Sequence, residues 1–133
     1  MPGNFFDSNV PIYAAAGDDE KGSIAESLLA RRGVISVQVL NEVAAVALRK
    51  LAFTLPEVID VLDRLRAVAI VVPLTVETHE TTLWVRKRHR FAFYDCAIVA
   101  AALLAECDTL WSEDMHDGLV IDGRLTIRNP FAT

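Results

Sequence analysis

Asp95 is the residue of this chain whose surroundings most constrain its chemistry. It opens the segment Tyr94-Asp95-Cys96-Ala97-Ile98-Val99-Ala100-Ala101-Ala102-Leu103-Leu104, which has the composition of a buried helix. Ile98, Val99, Ala102 and Leu103 follow it at i+3, i+4, i+7 and i+8, so the carboxylate shares the helix face that must enter the core. An ionised carboxylate facing apolar surroundings is costly unless a cation or a strong donor meets it. The sequence therefore predicts a positive partner beside Asp95.

Three further acids join it once the elements that position them are read. Asn4–Asp7 is a short apolar strand, followed by a helical stretch near Pro11–Ala15. Asp18–Arg32 is an amphipathic helix with Ile24, Leu28 and Leu29 on one face and Gly33 as its left-handed stop. Val34–Ser36 is a second strand, and Val37–Phe53 a helix with a core stripe of Leu40, Val43, Ala44, Ala47 and Leu51. Thr54-Leu55-Pro56-Glu57 matches a capping box and starts a helix that runs to about Arg66. Val68–Val72, β-branched and apolar, is the clearest strand. Thr75–His89 and Tyr94–Glu106 read as helices, Asp108–Ser112 as a strand, and Ser112–His116 as a polar loop. Leu119–Ile121 and Arg124–Ile127 form a hairpin turned by Asp122-Gly123.

Strands alternating with helices predict a three-layer α/β/α sandwich around a mainly parallel sheet. A chain of 133 residues is a single domain by size, so residues 1–133 are expected to form one unit that buries about 65–70% of its extended surface. In such folds ligands sit outside the carboxyl ends of the strands. Asp7 follows the first strand and Asp114 follows Leu110-Trp111-Ser112. Glu42 and Asp95 are expected in the first turns of helices that begin at the same edge. Carboxylates converging there would repel one another and so require divalent cations. Oxygen ligands without His or Cys favour Mg²⁺, with Mn²⁺ as substitute, over Zn²⁺. The chemistry that suits carboxylate-held Mg²⁺ is phosphoryl transfer.

Taken singly, most of these acids have ordinary explanations. Asp7 and Asp114 suit turns or helix caps, and Glu42 suits a helix surface near a positive helix end. Their conjunction is what points to a site. His116 lies in the same loop as a bystander, and His79 and His89 are expected at the surface. Trp84 and Trp111 are expected to pack in the core rather than stack on bases.

The net charge of −5 argues against general electrostatic attraction to nucleic acid. The basic residues are uneven, however: Arg86, Lys87, Arg88 and Arg90 are four of the thirteen Lys and Arg residues within five positions. They form a candidate grip on an RNA phosphate chain, or else offset the dipole at a helix C-terminus.

Phe5-Phe6-Asp7-Ser8-Asn9-Val10, Ser36-Val37-Gln38-Val39-Leu40-Asn41-Glu42-Val43, Phe93-Tyr94-Asp95-Cys96-Ala97-Ile98-Val99-Ala100-Ala101-Ala102 and Leu110-Trp111-Ser112-Glu113-Asp114 resemble, in order, the four acidic motifs of the PIN domain. The closing Asn129-Pro130-Phe131 is similar to the end of many VapC-type toxins. The resemblance covers essentially the whole chain. It implies a Mg²⁺-dependent endoribonuclease, the toxin of a toxin–antitoxin pair, with a cognate antitoxin and a homodimeric state. It also implies that Asp7, Glu42, Asp95 and Asp114 are the catalytic acids and metal ligands, that Ser8 supplies a hydroxyl beside the metal, and that Ser112 orders the fourth motif. Ser8 stands where the family commonly has Thr, which keeps the hydroxyl. Asp117 is a further acidic candidate in the same loop.

The alternatives are a metal-dependent phosphatase or DNA nuclease on the same carboxylates, and a non-catalytic PIN-like module that binds RNA or protein. A binding module has no reason to keep a repulsive cluster of four acids. No phosphate-binding P-loop and no Gly-x-Ser-x-Gly elbow occurs, and Asp7-Ser8-Asn9 lacks the second aspartate of a haloacid-dehalogenase-type phosphatase.

Composition and location complete the reading. The chain is 53% hydrophobic with a mean hydropathy of +0.32, yet its apolar runs fall well short of the ~18 residues of a membrane span. The surplus fits covered strands and a partner interface. Met1-Pro2-Gly3-Asn4-Phe5-Phe6-Asp7 has neither a basic n-region nor an apolar h-region, so no secretory signal is expected. Cys96 and Cys107, placed on one helix, would lie ~16 Å apart and stay reduced. A cytoplasmic protein is expected.

Overall fold

The computed structural model describes residues 3–17 and 19–132. Its elements are β1 (Asn4–Phe6), α1 (Asn9–Ala16), α2 (Asp19–Ala30), β2 (Gly33–Ser36), α3 (Val37–Arg49), α4 (Leu55–Val68), β3 (Ala69–Val72), α5 (Val76–Arg88), α6 (Phe93–Leu104), β4 (Thr109–Trp111), β5 (Val120–Ile121) and β6 (Leu125–Arg128). The sheet order is β3-β2-β1-β4-β6-β5. Every neighbouring pair is parallel except β5 with β6. The expected α/β architecture with a mainly parallel central sheet is present, and every residue of β2 is buried, as a strand covered by helices on both faces must be.

The chain runs from β1 outward through β2 to β3, then returns to place β4 on the other side of β1. The switch point therefore lies between the carboxyl ends of β1 and β4. Phe5 pairs with Leu110 and Phe6 with Trp111, and the backbone N–H of Asp7 donates to the Trp111 carbonyl at 3.0 Å. Asp7 thus leaves the sheet in register with the segment that carries Ser112 and Asp114.

Several local expectations change. Asp18, where the sequence reading starts the second helix, lies outside the described residues. That helix stops on Arg32, which takes the left-handed conformation at φ 64°, not on Gly33. Gly33 begins β2, and its missing side chain serves close approach. A Cβ there would stand 2.6 Å from the Asn4 carbonyl oxygen and 2.8 Å from Cε2 of Phe6. The third helix ends at Arg49, so Leu51 falls outside it. The capping box of α4 is formed by Thr54 and Glu57 as read. Val68 closes α4, and β3 is an edge strand with Ile70 60% exposed. Its β-branched composition reports fit to a pleated surface rather than central position.

Helix α6 ends at Leu104. Glu106 at φ 59° and the bond from Cys107 N–H to the Ala102 carbonyl at 3.1 Å make a left-handed helix stop. Cys107 therefore lies beyond the helix, and both cysteines are buried and unbridged. The hairpin turn holds Asp122 and Gly123 at positive φ, with Arg124 N–H donating to the Ile121 carbonyl at 3.1 Å. The ladder, however, pairs Ile121 with Leu125 and leaves Arg124 unmatched. Among the described residues no helix is long and apolar enough to cross a membrane.

Candidate active site

Asp7 is the centre of the site. It is only 3% exposed, yet its carboxylate is well provided with donors. Ser8 N–H reaches Oδ1 at 2.7 Å and the Ser8 hydroxyl approaches it at 3.4 Å, while the Ser112 hydroxyl donates to Oδ2 at 2.6 Å. Burial pushes the carboxyl up to about 6. The bonds from Ser112 and Ser8 oppose that shift, and the charges of Asp95 and Glu42 add to it. Ser112 is itself fully buried and held by its N–H on the Arg128 carbonyl at 2.9 Å.

Asp95 lies in the first turn of α6. Burial raises its pKa, and Asp114 and Glu42 raise it further. No donor or cation among the described residues offsets this, and the positive partner expected from the sequence is not found among their side chains. The residues behind it behave as read, with Ile98, Val99, Ala102 and Leu103 all buried. Burial is not confined to that one face, because α6 is buried on every side from Cys96 to Leu103.

Glu42 sits in the second turn of α3, not the first as expected. Gln38 one turn earlier donates to Glu42 Oε2 at 3.1 Å and to the Tyr94 carbonyl at 3.1 Å. One buried amide thereby ties α3 to the start of α6. The N-terminus of α3 is fixed by Ser36, whose hydroxyl accepts from Val39 N–H at 3.4 Å. Asp114 is exposed, with Oδ2 accepting from Asn9 Nδ2 at 3.3 Å. The same asparagine's Oδ1 takes the Glu113 N–H at 3.4 Å. Glu113 in turn accepts from the Tyr13 hydroxyl at 2.5 Å and from Lys21 at 2.6 Å. Burial opposes ionisation of Glu113, but the bonds from Lys21 and Tyr13 outweigh it and hold its pKa below the usual range.

Asp7, Glu42, Asp95 and Asp114 therefore share one electrostatic neighbourhood. They do not close into a cage: no group of three or more His, Cys, Asp or Glu side chains among the described residues is spaced to hold a metal. Their hard oxygen donors are of the kind that divalent cations take. Asp117 is engaged elsewhere, accepting the Asn129 N–H at 2.9 Å. His116 is exposed.

The basic run ends α5. Arg88 lies over Trp84 at 3.9 Å and donates to the Trp84 carbonyl at 3.1 Å, so it serves the helix terminus. Arg86, Lys87 and Arg90 are exposed beside the connection that leads into α6. His79 is exposed, and His89 stacks on Phe91 at 5.6 Å. Trp84 and Trp111 pack half-buried against the core, and Trp111 donates to Asn4 Oδ1 at 3.0 Å. Sequence reasoning missed Gln38, Asn9 and the Tyr13–Lys21–Glu113 anchor. Only their nearness to the acidic motifs could have flagged them.

A model of the PIN domain matches residues 5–116. The chain belongs to the PIN domain family. No curated protein sequence matches it. Among solved structures it is similar to a toxin–antitoxin complex from Klebsiella pneumoniae, at 20% identity and a TM-score of 0.69 over 98% of this chain and 99% of that one. VapC20 of Mycobacterium tuberculosis, a toxin that cleaves the sarcin–ricin loop, gives 21% and 0.68 over 84% and 89%. VapBC2 of Rickettsia felis, bound to a DNA fragment from its promoter, gives 19% and 0.69 over 95% and 97%. At these identities the likeness is one of fold.

Proposed function

We propose that this chain is a VapC-type toxin, a cytoplasmic endoribonuclease that uses Mg²⁺, or Mn²⁺ in its place, and is silenced by a cognate antitoxin. The observation that carries the reading is the buried Asp7 at the switch point, held by Ser8 and Ser112 and raised, like Asp95, chiefly by burial and further by neighbouring carboxylates. Asp7, Glu42, Asp95 and Asp114 would hold the metal. When bound, the ion supplies Lewis-acid polarisation of the phosphodiester and lowers the pKa of the attacking water.

The chain's own residues set the geometry. Ser112 and Ser8 fix both oxygens of Asp7, which keeps that carboxylate ionised against its burial. Gln38 orients Glu42, and Asn9 orients Asp114. Arg86, Lys87 and Arg90 grip the RNA backbone, with Arg88 retained at the helix end. The fold's likeness to toxin structures supports RNA as substrate, and two buried free thiols support the cytoplasm.

The antitoxin's seat in this reading is the groove of about 520 Å³ between α1, α2 and α4. Ala14, Leu29, Phe53, Val61 and Leu65 give it an apolar lining, and Glu26, Asp60 and Arg64 line it too, with Asp60 paired to Arg64 at 2.9 Å. An amphipathic segment with apolar anchors matches that surface. We further propose a homodimer, since Leu48, Leu55 and Ile59 remain exposed on α3 and α4. Co-expression with the neighbouring small gene tests the toxin reading. The partner should co-purify and suppress RNA cleavage, and a chain whose ribonuclease activity ignores that partner would be a free-standing nuclease.

A further inference from the structure

We propose that Phe93 and Tyr94 form a stacking subsite for a nucleobase of single-stranded RNA, placed beside the acidic site so that they set which nucleotide is presented there. The proposal rests on the ribonuclease reading above and deepens it.

Helix α6 is buried from Cys96 to Leu103, yet its first two residues are aromatic rings in water, Phe93 at 43% and Tyr94 at 66% exposure. Helix formation does not require them there. The cap position is Ala92, which makes no side-chain cap bond. The two rings meet edge to face at 5.7 Å and 80°, an arrangement that stiffens the pair while Tyr94 stays largely open to solvent.

The pair is fixed relative to the acids. The Cα atoms of Tyr94 and Asp95 are about 3.8 Å apart as chain neighbours. The Tyr94 carbonyl accepts from the Gln38 amide that also holds Glu42. The platform and one carboxylate thus share a tether.

Charge identifies the occupant. The carboxylates repel a phosphate chain, so whatever holds nucleic acid here must lie outside them. Arg86, Lys87 and Arg90 are exposed where α5 leads into α6. Cations for the backbone beside an aromatic face for a base are the two components of single-strand recognition. A base must be unstacked to use such a face, so a duplex would not engage it.

The test measures anisotropy of a fluorescein-labelled 12-mer oligoadenylate with Mg²⁺ present, in an Asp95→Asn background to prevent cleavage. Adding Tyr94→Leu, which keeps bulk and removes the π-face, should weaken binding about tenfold. Tyr94→Trp should bind at least as tightly as the parent. An abasic oligomer should not distinguish the three. Equal oligoadenylate affinity for the parent and Tyr94→Leu overturns the subsite. So does a Tyr94→Leu effect that light scattering traces to a lost second copy of the chain. Failure of the wild-type chain to bind or cleave any RNA would overturn the ribonuclease reading itself. RNA cleavage by wild type with unchanged Tyr94→Leu affinity would remove the subsite alone.

Discussion

At the scale of single residues, Asp7 couples burial to both stability and metal binding. Its carboxyl is raised from 3.8 to about 6, so in metal-free buffer the folded chain holds this proton more tightly than the unfolded chain does. Stability from that proton is fully present below about pH 4 and is lost as pH rises through about 6. The difference is on the order of 3 kcal/mol for a shift of this size. In EDTA, the stability gap between wild type and Asp7→Asn should therefore widen in favour of the variant between pH 4 and 7, read by urea unfolding. A pH-independent gap would mean that Asp7 is not desolvated. Ser112→Ala removes the 2.6 Å bond on Oδ2. As a change to a residue orienting a metal ligand, it should cost about 10–100-fold in Mg²⁺ affinity or turnover. Metal titration and cleavage kinetics measure each separately.

At the scale of elements, the sequence singled out Asp7 and Asp114 because they follow strands and Asp95 because it opens a helix, while Glu42 lies a turn deeper in α3 than expected. It did not disclose what orients them. Gln38, Asn9 and Lys21 are polar helix residues whose spacing carries no signal, and Asn9 and Lys21 find Asp114 and Glu113 more than ninety positions away. Gly33 shows the same limit, since a glycine after a helix suggests a stop, while its demand is set by Asn4 and Phe6 across the β1–β2 pair. Gly33→Ala should therefore cost about 1–3 kcal/mol through overpacking, although a glycine in a strand would ordinarily gain from the change. Ser36→Ala removes the α3 cap and should cost about 1 kcal/mol. Denaturant unfolding reads both, and a neutral Gly33→Ala would show that β1 and β2 can separate without penalty.

At the scale of the whole molecule, parallel order around β1 brings the motifs to one edge, and that order was legible from alternating strands and helices. The rank of β3 was not, because its apolar run reports a strand without reporting which side of the sheet it occupies. Added Mg²⁺ or Mn²⁺ should raise the melting temperature by binding the native state, and Asp95→Asn should lose most of the response. Equal shifts in both proteins would place the ion elsewhere. The most direct test of the central claim is RNA cleavage by the purified chain with Mg²⁺ or Mn²⁺, with EDTA, and with Asp95→Asn of unchanged fold. The account predicts cleavage only by the metal-loaded wild type. Cleavage that survives both chelation and the substitution, or metal-loaded wild type that cuts no RNA, would contradict it.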